Sequence, residues 1–148
     1  MLNPDYRDIL SALSEEGVEF LIVGAFALAA HGLPRATGDI DIWVRNSDEN
    51  ATRVWQALVR FGAPLRGLAP SDLAAPDIVF QIGVAPRRID ILTSVDGVVF
   101  DEAWPYRLTV SLEGVAIPVI GRAHLIQNKR AAGRPKDLAD LDWLQNAP

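Results

Sequence analysis

Cysteine is missing from the 148 residues, which excludes a disulfide framework, thiol chemistry and a thiolate metal site. There are two histidines and one methionine, so a zinc centre built on imidazoles has little to draw on. Uninterrupted apolar runs fall short of the ~18 residues a membrane span needs. The opening "MLNPDYRDIL" lacks the basic-then-apolar pattern of a secretory leader, and a soluble cytoplasmic protein is the expectation. Positive charge is also in short supply: 14 basic residues face 19 acidic ones, for a net charge of −5. Such a chain offers no extended platform for nucleic acid, because that binding is driven largely by phosphate neutralisation. Both lysines, Lys129 and Lys136, fall in one stretch near the C-terminus.

Hydrophobic residues are plentiful, at 49%, and a chain of this length can build a core without a structural metal. One domain over residues 1–148 is the expectation. Asn3 and Pro4 read as cap and first residue of a helix carrying Tyr6, Ile9, Leu10 and Leu13 on one stripe and stopped by Gly17. "VEFLIVG" reads as a buried strand ending at Gly24, and "AFALAAHG" as a short apolar helix ending at Gly32. "PRATG" is a loop and "DIDIWVR" a second strand. Ser47 caps a helix with Ala51, Val54, Trp55 and Leu58 at helical spacing before Gly62.

An irregular segment from Ala63 to Pro76 holds one helical turn at "SDLA". "DIVFQIG" and "RRIDILT" are strands, and "RLTVSLEGVAIPVIG" is a hairpin turning at Glu113-Gly114, with Pro118 placing its second arm at an edge or bulge. Two short helices, "RAHLIQNKRAAG" and "PKDLADLDWLQ", close the chain. The pattern is α+β: a mixed sheet of four to six short strands with helices packed against it.

Against this apolar background the placement of aspartate stands out. Strand alternation puts Asp39 and Asp41 on one face while Ile40 and Ile42 enter the core. "RRIDILT" repeats the device, with Ile89 and Ile91 on one side and Asp90 with Arg88 on the other. If the two strands are neighbours, three carboxylates meet. Clustered anions repel unless a cation or a set of donors neutralises them. An all-oxygen set suits Mg²⁺ or Mn²⁺, and two such ions can clamp the attacking and leaving oxygens of a phosphoryl displacement. The same pattern also describes a solvated strand face. Upstream, Gly24 stands between a strand and a helix N-terminus, where backbone N–H groups can receive phosphate and the missing side chain permits close approach.

"FLIVGAFALAAHGLPRATGDIDIWV" resembles the signature of the nucleotidyltransferase superfamily with the polymerase-beta-like fold, in which a Gly-Gly or Gly-Ser turn precedes an Asp-x-Asp strand and a third Asp follows on a later strand. "HG", then Arg and Thr before "DIDI", is similar to the small bacterial branch holding the lincosamide nucleotidyltransferases and the AbiEii-type toxins. "NKRAAGRPKDLADLDWL" resembles the C-terminal helices of that branch. The resemblance implies that Asp39, Asp41 and Asp90 hold the metal and carry catalysis, with Asp90 helping to deprotonate the acceptor. It implies that Gly24 and Ala25 cradle phosphate, that Arg35 and Thr37 contact nucleotide, and that Lys129 and Lys136 reach the triphosphate. Ala25 departs from the family turn.

The implied activity is Mg²⁺- or Mn²⁺-dependent transfer of a nucleoside monophosphate from an NTP to a hydroxyl on a small molecule, a tRNA or a protein. A partner protein or a second copy would complete the acceptor site. The alternatives are a nucleotide-binding or toxin–antitoxin module of the same fold with reduced catalysis, and a metal-dependent phosphodiesterase. The histidines read more readily as structural. Trp43, Trp55 and Trp143 fit core stripes, and Trp104 either lines a pocket or plugs a loop.

Overall fold

The computed structural model describes residues 3–33, 38–84 and 87–146. The first helix, α1 (Pro4–Glu15), begins where Asn3 Oδ1 accepts from the Asp5 N–H at 2.8 Å, and it buries Tyr6, Ile9, Leu10 and Leu13. It is followed by β1 (Phe20–Val23), α2 (Gly24–Ala30), β2 (Ile40–Val44) and α3 (Asp48–Phe61). Next come a 3₁₀ turn (Pro70–Ala74), β3 (Val79–Ile82), β4 (Ile89–Leu92) and a short helix α4 (Phe100–Ala103). The hairpin of β5 (Leu108–Leu112) and β6 (Val115–Val119) leads to α5 (Arg122–Ala132) and α6 (Pro135–Asn146). Among the described residues no helix is long and apolar enough to cross a membrane.

The strands form one six-stranded mixed sheet in the order β3-β4-β2-β1-β6-β5. β1 runs antiparallel to β2, and β2 runs parallel to β4 with Ile40, Asp41 and Ile42 opposite Ile89, Asp90 and Ile91. One sheet face is therefore apolar, and Ile40, Ile42, Ile89 and Ile91 are all buried. Leu10 of α1 shares a small apolar cavity with Ile22 and Ile40 on this side, and α3 packs on α1. The opposite face carries the carboxylates together with Trp43, which meets Phe100 of α4 edge-on at 5.0 Å.

Two local readings are corrected, and one short element carried no sequence expectation. Helix α2 starts at Gly24 and ends at Ala30, with His31 and Gly32 in the turn after it. Pro118 is not on an edge strand, since β6 lies between β1 and β5. Alternation explains how it is tolerated: the Ile120 N–H donates to the carbonyl of Ile22 at 3.0 Å, so position 118 also faces β1. Having no N–H there, Pro118 limits the β1 pairing to Val119 opposite Ile22. Helix α4, only four residues long, leaves no periodicity to detect.

A buried side chain ties α3 to the sheet. Asn50 Oδ1 accepts from the Glu19 N–H at 2.8 Å, and its amide donates to the carbonyls of Arg45 at 2.8 Å and Glu19 at 3.0 Å. Asn50→Ala removes the partner of the Glu19 N–H and of the Arg45 carbonyl in a part-buried place and should lower the unfolding free energy by about 1–3 kcal/mol, measurable by urea denaturation.

Candidate active site

The sheet register builds the site. Val23 pairs with Asp41 and Asp41 pairs with Asp90, so the end of β1 and two carboxylates form one row across three adjacent strands. Gly24 follows immediately. It adopts φ +70°, and a Cβ added there would collide with Oδ2 of Asp41, so the backbone approaches the carboxylate only because no side chain intervenes. Asp39, one pleat before Asp41, lines the same cavity of about 300 Å³ with Gly24, Ala25, Asp90, Lys129 and Lys136. Arg35 and Thr37 lie outside the described residues.

The negative charge is balanced in two ways. Burial, and after it the charge of Asp90 and a hydrogen bond shared with it, push the Asp41 carboxyl up to about 6. The second balance is Arg88. Its Nε and Nη2 donate to the two oxygens of Asp90 at 2.8 and 3.2 Å, and Nη2 also stands 3.3 Å from Oδ2 of Asp39. The Arg88 backbone N–H donates to Oδ1 of Asp39 at 3.3 Å. Hydrogen bonding to Asp90 and its charge raise the guanidinium above its ordinary pKa. Sequence reasoning placed Arg88 on the face of Asp90 but gave it no role. The signal was the i, i+2 spacing, which on a strand makes the two side chains neighbours.

Among the described residues, no three acidic or histidine groups stand close enough together to hold a metal ion as the side chains are placed. Asp39 and Asp90 are bridged by Arg88 instead, while Asp41 stands opposite Asp90 in the register, where burial and the neighbouring charge raise its pKa. The donor set itself fits a hard divalent ion. It is all oxygen, and it is drawn from two adjacent strands in register beside a backbone that only glycine allows so close.

Lys129 is not a free cation. Its ammonium, 5% exposed, lies 3.3 Å from Asp137 and 3.2 Å from Asp140, both fully buried on α6. Burial lowers its pKa against the pull of Asp137. Burial acts upward on Asp137, but hydrogen bonds from Arg134 and Lys129 outweigh it and hold that carboxyl below its usual range. Lys129 therefore joins α5 to α6 while its side chain borders the cavity. Arg134, on the αL turn at Gly133, and Lys136 are exposed and line the same cavity. Arg134, to which the sequence pattern assigned no part in the site, is thus a wall residue.

A second cavity of about 420 Å³ adjoins the first, shares Gly24, Asp41, Lys129 and Arg134 with it, and extends to Val79, Ser94, Asp96 and Asn128. These last residues carried no sequence signal, because they come from three separate segments. His31 is structural: its Nε2 lies 2.8 Å from the carbonyl of Ile120. Trp104 stacks on Phe100 and lies under the Arg107 guanidinium at 3.9 Å.

No protein-family model matches the sequence, and neither does any curated protein. Solved structures do share its fold. A candidate nucleotidyltransferase from Thermotoga maritima superposes with a TM-score of 0.62 at 21% identity, covering 100% of this chain and 97% of the other. The lincosamide antibiotic adenylyltransferase LnuA, solved with lincomycin bound, gives 0.61 at 14% identity over 100% and 99%. The antibiotic-resistance factor ANT(2'')-Ia gives 0.61 at 15% identity over 95% and 80%. The fold is that of the nucleotidyltransferases, as the glycine turn and the Asp-x-Asp strand led one to expect.

Two outcomes follow. Folded Asp41 holds a proton that the unfolded chain, with its ordinary pKa of 3.8, releases. Its contribution to stability is therefore lost as pH rises from about 4 to about 7, and in chelator the stability of Asp41→Asn relative to wild type should grow over that range and then level off. A pH-independent difference in melting temperature contradicts this. Lys129→Ala removes the ammonium that faces two buried carboxylates, Asp137 and Asp140, and should destabilise the protein by about 3–5 kcal/mol in a denaturant titration.

Proposed function

We propose that the chain is a divalent-metal-dependent nucleotidyltransferase that moves a nucleoside monophosphate from an NTP to a hydroxyl acceptor and releases pyrophosphate. The observation that carries this reading is the row formed by Gly24, Asp41 and Asp90, flanked by Asp39, opening onto a cavity edged by Arg134 and Lys136. Carboxylates alone would suit many hydrolases. A backbone approach beside them, with basic side chains opposite, suits an anion of several charges whose reacting phosphorus lies next to the acids.

Asp39, Asp41 and Asp90 would hold the ions, which when bound supply charge neutralisation of the phosphates and a lowered pKa of the attacking hydroxyl. The protein's own part is positioning and electrostatics. The backbone at Gly24 and Ala25 receives the phosphate tail, and Ala25 keeps its N–H although it adds a methyl group. Lys136 and Arg134 face the side from which pyrophosphate departs. Lys129 keeps α5 and α6 in place for them, and acts on phosphate only through that placement. Asp90, beside Asp41, is placed to receive the acceptor's proton. The second cavity, reached past Asp41, is the space for the acceptor. A small molecule is favoured there, since structures of the same fold include antibiotic-modifying proteins such as the lincosamide adenylyltransferase.

A second reading has its own observation. Arg88 satisfies Asp39 and Asp90 internally, and this suits a nucleotide-binding or toxin–antitoxin module that binds without transfer. Incubation with Mg²⁺, each α-labelled NTP and a cell extract separates the two readings. Label on a small molecule, a tRNA or a protein, reduced at least ~10³-fold by Asp41→Asn, is expected of the enzyme if the site supplies oxyanion-type stabilisation of ordinary size. Thermal stabilisation by NTP without any transfer indicates the module.

A further inference from the structure

Two of the three carboxylates are paired by the protein itself, and the group that does so is unusually placed. Arg88 meets Asp90 with two nitrogens and Asp39 with a third contact, so its guanidinium lies between side chains from both acidic segments. Its main chain is fixed independently. The Arg88 carbonyl accepts from the Ile40 N–H at 3.0 Å and from the Tyr6 hydroxyl at 3.4 Å. The side chain can thus leave without disturbing the strand. It already borders the 300 Å³ cavity that Arg134 and Lys136 line.

We infer that Arg88 is a resident counter-ion, standing between Asp39 and Asp90 where a divalent ion would bind, so that ion loading is an exchange in which the guanidinium is released from both carboxylates. This inference rests on the metal-dependent reading of the site. Two cationic groups a few ångströms apart repel strongly in a partly buried place, so the ion and the bridging guanidinium exclude one another. A planar fork that reaches two carboxylates also holds them together in the ion-free site. Once released into the cavity, the guanidinium faces the space assigned to polyphosphate, and ion and nucleotide binding are then coupled through one side chain.

The test is titration of nucleotide-free protein with Mn²⁺, following the free ion by electron paramagnetic resonance, together with thermal melting in chelator. Wild type, Arg88→Met and Arg88→Lys are compared, with Asp41→Asn as the control for site-specific binding. Arg88→Met should melt at a lower temperature in chelator, recover with Mn²⁺, and bind Mn²⁺ about tenfold tighter than wild type, the factor expected when one charge-assisted competitor is removed. Arg88→Lys keeps the charge without the fork and should fall between, and it carries the test if Arg88→Met does not fold in chelator. Equal or weaker Mn²⁺ binding by the Arg88 variants, with wild type still binding in an Asp41-dependent way, overturns the exchange and leaves the metal site standing. Absence of Asp41-dependent binding in wild type and variants alike overturns both.

Discussion

Everything at the candidate site depends on the register of three strands. Val23 lies opposite Asp41, and Asp41 lies opposite Asp90. A shift of one residue in either pairing would turn a carboxylate to the other face and drive it among Ile22, Ile42 and Ile91. The apolar positions on either side of each aspartate make that shift prohibitive, because burying an isoleucine on one side and a carboxylate on the other is satisfied by a single alignment. The core thus sets the geometry of the polar row, and the row needs no separate device to hold it.

That placement creates an electrostatic problem which the molecule solves locally. Asp90 is 7% exposed and Asp41 is largely buried, so their charges cannot be left to solvent. A guanidinium across Asp90 and Asp39 provides part of the balance, and burial beside Asp90 raises the pKa of Asp41. A similar arrangement, one cation between two carboxylates, is repeated on the other wall of the cavity, where buried Lys129 is held by Asp137 and Asp140. The basic groups at the rim of the cavity are Arg134, which also pairs with Asp137, and Lys136. On this account selectivity for a polyanion comes from exchanging internal partners as well as from adding contacts.

Much of this was legible in the residues. The caps at Asn3, Ser47, Gly62 and Gly133, the alternation around Asp39, Asp41 and Asp90, and the turn at Gly24 are local signals, and the structure follows them. The order of strands was not legible, because the neighbours β2 and β4 are separated by α3 and a long connection, so their pairing is a tertiary fact. For the same reason the burial of Lys129 escaped notice. Its partners are eight and eleven residues ahead, on the next helix, and a lysine in a basic cluster reads as exposed. Arg88 was visible beside Asp90, but only the pairing of β2 with β4 brings Asp39 within its reach. Pro118 misled because proline's usual confinement to edges has an exception wherever the neighbouring ladder is a single bridge.

The most direct measurement is a crystal structure of the protein with Mn²⁺ and a non-hydrolysable NTP, using the anomalous signal of the ion. The account expects manganese bound by Asp39, Asp41 and Asp90, the triphosphate against the Gly24 backbone, and Arg88 turned away from Asp39 and Asp90. Nucleotide bound elsewhere, or manganese absent from these carboxylates with Arg88 still bridging Asp39 and Asp90, would contradict it.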